Sequence, residues 1–415
     1  MRQTTVRQCV VLVGGLGTRL GTLTAQVPKP LLPCGDRPFL AWLLRELCRF
    51  GVEEVVLLAG HLADSVVDRV DDLKAMMPRA LEILVSVEPE RAGTGGALFY
   101  ARDLLDDRFL LLNGDSLLDG AFSELLKHAD KEDDDDWVGR VTLRQLTETS
   151  RYDAVDVEGD RIVAFAVKRN NQPGMVNGGV YLFDRKIVDF LRPVCSLEKD
   201  VLPEVARAGL LRACTCNGYF IDIGVPADYS RSQNEVPERL LRPSLMLDRD
   251  GVINIDHGWV GTRDRFEWVS GAKEAIALAT LCGWHVFVVT NQSGVARGLY
   301  SEEALLELHR WMVDEIRQAG GTIDDIRYCP YHPNATVSRY RMVSELRKPR
   351  PGMILGLIRD WELEVDRCVL VGDRDTDIAA ARAAGVVGMI YREGNLKDFL
   401  QTRIYDAKRA SHADA

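Results

Sequence analysis

Two carboxylates one residue apart, Asp248 and Asp250, follow directly on the apolar run Leu245-Met-Leu247 and precede Gly251. The run reads as the end of a buried parallel strand, and the glycine lets the chain turn sharply away. Carboxylates at a buried strand end are costly to desolvate unless a cation or a reaction compensates. Ligands of open α/β sheets also bind beyond the carboxyl ends of strands. The pattern reads as a nucleophile, Asp248, that takes up a phosphoryl group, with Asp250 as its acid/base partner. The plain alternative is a turn in which two acids face water.

A second group of chemistry-bearing residues lies near the start. Gln8-Cys-Val-Val-Leu-Val13 reads as a buried strand, followed by Gly14-Gly-Leu-Gly-Thr-Arg-Leu20. Glycines after a strand let backbone N–H groups approach phosphate oxygens, and Arg19 adds charge there. Leu20 stands where a dinucleotide-binding loop needs a third glycine, and no Gly-Lys-Ser/Thr closes a P-loop. Lys29 sits between Pro28 and Pro30, which fix the backbone on both sides and hold the cation with little freedom. A lysine so placed suits a phosphate ligand better than a solvated surface charge.

The elements that must position these groups alternate. Pro38 opens a helix with Leu40, Leu43, Leu44 and Leu47 on one face, stopped by Gly51. Strands are expected at 54–59, 82–87 and 109–112; the second leads into the glycine loop Arg91-Ala-Gly-Thr-Gly-Gly-Ala-Leu98 and the third into Asn113-Gly-Asp-Ser116. Later, Ser270 caps a helix bearing Ala275, Ile276, Ala279 and Cys282 on its inner face. The strand 285–289 then ends in Thr290-Asn-Gln-Ser-Gly294, and the strand 368–371 in Gly372-Asp373, with Asp377 beyond. Alternation of this kind predicts α/β domains with a mainly parallel sheet. Periodicity is lost over 230–238, before Arg242-Pro243, which reads as a linker or docking helix. The expected division is a first domain over 1–235, a linker over 236–243, a second domain over 244–395 and a C-terminal helix with a frayed tail over 396–415.

The chain has 415 residues, 46% hydrophobic, with a formal net charge of -10. That balance and the lack of a basic cluster argue against a nucleic-acid surface, and no apolar run is long enough for a membrane span. Met1-Arg-Gln-Thr-Thr5 lacks the apolar core of a signal peptide. Nine cysteines, scattered through mostly apolar runs, read as reduced thiols of a cytoplasmic protein. The partners implied are small molecules; a homo-oligomer is left open. The acidic run Glu132 to Asp136 reads as a solvated loop rather than a cation site.

Over roughly its first 230 residues the chain resembles the sugar-1-phosphate nucleotidyltransferases. The motifs that carry this are Gly-Gly-x-Gly-Thr-Arg-Leu with Pro-Lys-Pro, the loop at 91–98, Asn113-Gly-Asp115 and Phe220-Ile-Asp-Ile-Gly-Val-Pro226. The resemblance implies that Gly14, Gly15, Gly17, Thr18 and Arg19 hold the nucleoside triphosphate, and that Lys29 bridges the reacting phosphates. It further implies that Asp115 and Asp222 hold Mg²⁺, and that Thr94, Gly95 and Gly96 line the base pocket. Asn177 marks the sugar-binding strand and Lys168 takes the place of a phosphate-binding lysine, although Val167 stands where the family often has Glu. Leu197-Glu-Lys-Asp200 resembles a segment that shapes the sugar pocket. Thr149-Ser-Arg-Tyr-Asp153 most resembles the branch acting on heptose and mannose phosphates.

The later part resembles the haloacid dehalogenase phosphatases, in a form without a large cap. The two parts together imply two Rossmann-like doubly wound domains. In this family the order Asp-x-Asp, strand-end Thr, Lys, Gly-Asp-x-x-x-Asp (Gly372, Asp373 and Asp377) implies that Asp248 attacks phosphorus and that Asp250 acts as acid, then base. Thr290 and Lys348 would hold phosphoryl oxygens, and Mg²⁺ would bind Asp248, the Asp250 carbonyl and Asp373. The finer resemblance is to the branch of heptose-bisphosphate and histidinol-phosphate phosphatases, carried by Asp248-Arg-Asp-Gly-Val-Ile-Asn254, Gly258-Trp-Val260, Thr290 to Gly298 and Cys329-Pro-Tyr-His-Pro333. Asn291, Arg297 and Arg347, with Lys348, are its substrate-binding positions. That branch holds structural zinc with three cysteines and a histidine. Here Cys329 remains, but Tyr331, Ser344 and Leu346 occupy the other positions, so no zinc is expected. Together the resemblances imply a bifunctional enzyme: a 7-phosphatase for heptose 1,7-bisphosphate and a nucleotidyltransferase, with GTP favoured, for the resulting 1-phosphate. A histidinol-phosphate-type phosphatase fused to a hexose-1-phosphate transferase, or one half acting as a sensor without turnover, stays open.

Overall fold

A computed structural model describes residues 6–127, 129, 136–147, 154–166 and 172–413. It divides into two compact units at Leu240/Leu241. Among the described residues no helix is long and apolar enough to cross a membrane.

The first unit is built on a nine-stranded sheet. Its order is Glu82–Val87, Glu54–Ala59, Gln8–Leu12, Arg108–Asn113, Gly174–Asp184, Gly139–Leu146, Leu211–Thr215, Arg161–Ala166 and Ala154–Glu158. The first four strands are parallel to one another. Helices Phe39–Arg49 and Gly93–Tyr100 separate them along the chain, as crossovers between parallel neighbours require. The expectation of a mainly parallel sheet fails beyond that point. Gly174–Asp184 is antiparallel to both of its long neighbours, and the 154–158 and 161–166 strands form a hairpin. Gly139–Leu146 and Leu211–Thr215 pair in parallel, with helix Leu202–Arg207 before the second of them along the chain, so this part of the sheet is mixed. The core lies across this sheet, with Val10, Leu111, Tyr181, Phe183, Leu197 and Leu202 among its buried members.

Residues 236–240, expected to be linker, form the last turn of helix Pro226–Leu240. This helix docks on Pro33–Cys34: the Gln233 amide donates to the Pro33 carbonyl (3.0 Å), and the Cys34 thiol faces the Ser232 carbonyl (3.1 Å).

The second unit has a five-stranded, all-parallel sheet in the order Asp325–Cys329, His285–Asn291, Ser244–Leu247, Cys368–Gly372, Val387–Ile390. The chain starts in the centre and builds outward in both directions, so the order reverses at Ser244–Leu247. A crevice at the carboxyl ends is the expected ligand position for such a sheet. The stretch beyond residue 395, expected to be a helix with a frayed tail outside the domain, is helix Leu396–Ala413. Leu396, Leu400 and Ile404 are buried in the core of this unit, beside Ala275, Ile276 and Ala279.

Candidate active sites

In the first unit, three parallel strands deliver their loops to one edge. Gly14 follows Gln8–Leu12 so closely against the next strand's end that a Cβ there would meet the Gly60 nitrogen at 2.9 Å. Gly17 sits at φ +62, with the Thr24 hydroxyl donating to its carbonyl (2.9 Å). Thr18 and Arg19 begin the short helical turns that follow. Gly15 faces open space.

Lys29 and Asp115 come together at 2.6 Å, with Lys29 buried. A two-stranded ribbon, Ser116–Leu118 with Phe220–Asp222, carries Asp222 to the same place, and the Ile223 N–H donates to the Asp115 carbonyl (3.0 Å). Gly224 is the close-approach position. Its N–H donates to Asp222 Oδ1 (2.8 Å), and a Cβ on it would lie 2.8 Å from that oxygen, 3.2 Å from Arg19 Nη2 and 3.4 Å from Lys29 Nζ. Arg19, Lys29 and Asp222 therefore converge, although they are some 200 residues apart in sequence. Burial, then the charge of Asp115, holds the Asp222 carboxyl above the usual range, while the Gly224 N–H, Lys29 and Arg19 pull it down. Two carboxylates that repel in a partly desolvated place beside two cations suit a hard divalent cation with phosphate oxygens. Gly224→Ala should cut nucleotidyl transfer by about tenfold or more with little change in melting, since a displacement near 1 Å can cost up to ~10²-fold. Steady-state pyrophosphate release beside a thermal melt tests this.

The other positions expected to meet the sugar nucleotide have defined partners. Gly95 and Gly96 donate their N–H groups to the Cys195 carbonyl at 3.0 Å each, and a Cβ on either would collide with residues 193–195. These two glycines serve a helix-to-loop contact. The Thr94 hydroxyl donates to Glu198 (2.7 Å) and accepts from the Leu197 N–H (2.8 Å). Glu198 lies in the π-helical turn Leu197–Val201, capped by Ser196. The Asn177 amide donates to the Tyr181 hydroxyl (2.7 Å) and its oxygen accepts from the Gly179 N–H (2.9 Å), at an irregularity of the strand. Lys168, Val167 and the 149–153 segment lie outside the described residues, as does the acidic run except Asp136, which pairs with Lys186 at 3.0 Å.

In the second unit the carboxyl ends of three adjacent strands deliver Asp248, Thr290 and Asp373. Lys348 Nζ contacts Asp248 Oδ2 (2.8 Å), Asp377 Oδ1 (2.7 Å) and the Val289 carbonyl (2.7 Å), which commits all three of its donors. Asn291 fixes the backbone of Lys348 from both sides, taking its N–H and donating to its carbonyl, each at 3.1 Å. Burial would lower the Lys348 ammonium, but Asp248 and Asp377 outweigh it and hold it above its usual value. One ammonium cannot compensate both carboxylates. Burial therefore pushes the Asp248 carboxyl up to about 6 against the pull of Lys348, with Asp377 and Asp250 adding to the rise. Asp377 closes the Gly-Asp-x-x-x-Asp run in sequence without a role of its own there, and its part as the second partner of Lys348 emerges only in three dimensions.

Asp248, Asp373 and Asp377 each offer an oxygen, all within 4.8 Å of one another. Asp373 Oδ1 is buried without a hydrogen-bond partner, and burial holds this carboxyl above its usual range against the pull of Arg374. An orphaned oxygen in a carboxylate cluster fits a divalent hard cation. Gly251, at φ +88, makes the approach possible, since a Cβ there would lie 2.4 Å from Asp373 Oδ2. The Asp250 carboxylate turns elsewhere, to Arg249, Asn254 and Gln292, which leaves only its backbone carbonyl for a metal.

Arg297 lies over the exposed Trp259 ring at 5.6 Å, and Arg347 donates to the Tyr331 carbonyl (3.4 Å). Burial and the nearby Arg297 hold the Arg347 guanidinium below its usual value. Two cations close enough to feel each other, one of them next to Lys348 in the chain, suit an anionic group.

Residues 8–239 match the nucleotidyl transferase family model, and residues 345–411 match a HAD-hydrolase-like model. A D-glycero-beta-D-manno-heptose-1,7-bisphosphate 7-phosphatase of Rhodopseudomonas palustris is 44% identical over 170 residues, 41% of this chain and 94% of the relative. A D-glycero-alpha-D-manno-heptose-1,7-bisphosphate 7-phosphatase of Burkholderia mallei is 43% identical over 143 residues, 34% of this chain and 76% of the relative. A D-glycero-alpha-D-manno-heptose 1-phosphate guanylyltransferase of Campylobacter jejuni is 34% identical over 225 residues, 54% of this chain and 96% of the relative. The chain belongs to the nucleotidyl transferase family through residues 8–239 and carries a HAD-like hydrolase unit after it.

Proposed function

We propose that this chain is a bifunctional enzyme that removes the 7-phosphate of D-glycero-D-manno-heptose 1,7-bisphosphate and then transfers GMP from GTP to the heptose 1-phosphate, forming GDP-heptose and pyrophosphate. The observation that carries this reading is the presence, on one chain, of relatives named for two steps in which the product of one is the substrate of the other. The anomer follows from the same logic. Phosphatase relatives of nearly equal identity are named for either anomer, while the transferase relative is named for alpha. A single bisphosphate that serves both halves is then the alpha form.

In the phosphatase half, an Asp248 oxygen attacks phosphorus as the P–O bond to the sugar breaks, and Asp250 gives its proton to the leaving oxygen. Water then attacks the aspartyl-phosphate, Asp250 takes a proton from it, and phosphate leaves with Asp248 regenerated. Once Asp248 Oδ2 is bonded to phosphorus, the Lys348 N–H that faced it is free for a phosphoryl oxygen. Thr290 holds another, and Arg297 and Arg347 receive the distal phosphate. Mg²⁺ on Asp248, Asp373 and the Asp250 carbonyl would offset repulsion between nucleophile and phosphate. In the transferase half, a phosphate oxygen of the sugar attacks the α-phosphorus and pyrophosphate leaves. Arg19 and Lys29 neutralise the growing charge, and Asp115 with Asp222 would hold the Mg²⁺ that shares it. Both units are doubly wound in this reading, the HAD-like one without a large cap, with domains dividing near 235–244.

The loop over 330–346 holds no zinc in this reading. The Cys329 thiol lies beside Ser344, and burial holds it above its usual value. The loop is clasped instead by Glu302, which accepts from the Tyr328 hydroxyl (2.8 Å) and the Tyr340 hydroxyl (2.7 Å). Glu302→Ala should lower the stability of this unit by about 2 kcal/mol, as for hydrogen bonds to a charged group, while metal analysis of protein purified without added metal finds no zinc. Stoichiometric zinc would overturn the assignment. Free, mostly buried thiols and a nucleoside triphosphate substrate support a cytoplasmic location in this reading.

³¹P NMR with Mg²⁺, each anomer of the bisphosphate and each NTP tests the whole proposal. The expected record is inorganic phosphate first, then a pyrophosphate-linked sugar nucleotide with the alpha anomer and GTP. Phosphate release from histidinol phosphate but not from heptose bisphosphate would overturn the substrate.

A further inference from the structure

Between the two catalytic carboxylates sits Arg249, whose side chain is fully buried. Its Nε and Nη2 donate to Asp250 Oδ1 (3.2 and 2.8 Å), and Nη2 also reaches Asp250 Oδ2 (3.0 Å), Gln292 Oε1 (3.2 Å) and the Val260 carbonyl. Nη1 faces His309 Nε2 at 3.3 Å. A guanidinium only donates, so His309 Nε2 is an acceptor on a neutral ring. Burial, then Arg249, holds that imidazole well below its usual value.

The same rule orients Gln292. Its Oε1 must face the guanidinium, and it also accepts from the Tyr300 hydroxyl at 2.7 Å. Its Nε2 therefore points the other way and donates to both Asp250 Oδ2 (2.9 Å) and Thr290 Oγ1 (2.9 Å). A threonine hydroxyl that accepts at its oxygen keeps its own proton for another acceptor. One amide thus holds the carboxylate that serves the leaving oxygen and aims the hydroxyl that serves the phosphoryl group. Gln292 is buried at 1% exposure, so water does not compete for these bonds.

We propose that Gln292 is a positioning residue of the phosphatase reaction, locking Asp250 and Thr290 into one register, with Arg249, His309 and Tyr300 fixing the direction of its amide. This rests on the reading of Asp250 as the acid that protonates the leaving oxygen while the Asp248–phosphorus bond forms and the ester P–O bond breaks. A loosened Asp250 protonates a poor leaving group badly, yet matters little when the leaving group departs as a stable anion. Asp250 Oδ1 accepts from three nitrogens and Oδ2 from two, so Oδ2, the oxygen that Gln292 holds, is the one better placed to exchange a proton.

The test compares full-length Gln292→Leu, Tyr300→Phe and Asp250→Asn by rapid quench on two substrates. One is the sugar bisphosphate, with an alkoxide leaving group; the other is p-nitrophenyl phosphate, whose nitrophenolate needs no proton. The expected result for Gln292→Leu is a first-turnover rate down by about 10²-fold on the sugar phosphate, at the low end of general-acid effects, with the nitrophenolate burst within about fivefold of wild type. Tyr300→Phe should show the same discrimination, smaller in size, and keeps the ring that packs against Gly261 and Gly294. Equal losses on both substrates in these two variants, while Asp250→Asn discriminates, would show that Gln292 does not hold Asp250 and would overturn the shared register of Asp250 and Thr290. If Asp250→Asn itself fails to discriminate, the acid/base reading falls, and this inference falls with it.

Discussion

Asp248→Asn abolishes phosphate release, by at least about 10³-fold as removal of a covalent nucleophile entails, while pyrophosphate release from GTP and heptose 1-phosphate is unchanged. The asymmetry follows from the division into two units at Leu240/Leu241, with Asp248 in the second and Lys29, Asp115 and Asp222 in the first. Parallel assays for phosphate and pyrophosphate on one preparation decide it; loss of both activities would sink the idea of two independent sites. The same substitution should raise the melting temperature of the metal-free protein. Asp248 shares one ammonium with Asp377, and burial lifts its carboxyl from 3.8 to about 6. The folded state therefore binds this proton more tightly than the unfolded chain does. The stabilisation is complete below about pH 4 and is lost as pH rises through about 6, a loss on the order of 3 kcal/mol. Asparagine carries no charge and escapes that loss. The gain over wild type is thus full at pH 8 and shrinks as pH falls from about 6 toward 4. Saturating Mg²⁺, which the proposed function assigns to the wild-type carboxylates, should narrow it.

The parts of this molecule legible in sequence are those in which chemistry and chain order coincide. Asp248 and Asp250 flank a single residue at a strand end, and Thr290 and Asp373 end the neighbouring strands, so a parallel sheet alone brings them to one edge. Lys29 was marked by its two prolines. What sequence could not give is side-chain direction. Arg249 looked like a spacer, and nothing local says that its guanidinium is buried on Asp250 and Gln292. Gln292 is one polar residue in a polar loop until the donor count on Arg249 fixes its amide. The glycines at 95 and 96 show the same limit. The resemblance puts them at the base pocket, and what the geometry adds is that their N–H groups are committed to the Cys195 carbonyl, which sequence does not show. The mixed part of the first sheet is not legible, because the strand pattern alone does not show whether a connection crosses over. The helix over 396–413 is legible in sequence, but its place in the core is not, because Leu396, Leu400 and Ile404 lie among charged residues and pack inward only in the fold.

Lys29→Met should reduce nucleotidyl transfer by about 10²- to 10³-fold, the range seen when one preorganised charge-stabilising donor is removed, and leave phosphate release untouched. Methionine keeps much of the stem that fills the turn between the prolines, so the change is mainly the loss of the ammonium. That ammonium lies 2.6 Å from Asp115 and also lowers the Asp222 carboxyl. Without it, two carboxylates face each other beside Arg19 alone, and the Asp222 carboxyl rises further. The sign is testable in the residual activity: a carboxyl that must be ionised to work, and whose pKa rises, moves the acidic limb of the pH–rate profile to higher pH. Lys29→Arg should not restore the rate, since a wide planar fork replaces a compact ammonium that is buried and lies 2.6 Å from Asp115. Rescue by arginine, or an acidic limb that stays in place, would mean that Lys29 serves only to hold the loop together. Asp222→Asn separates the two roles. It removes the titrating carboxylate, so its residual activity should lose the Asp222-dependent acidic limb and show no such shift when combined with Lys29→Met.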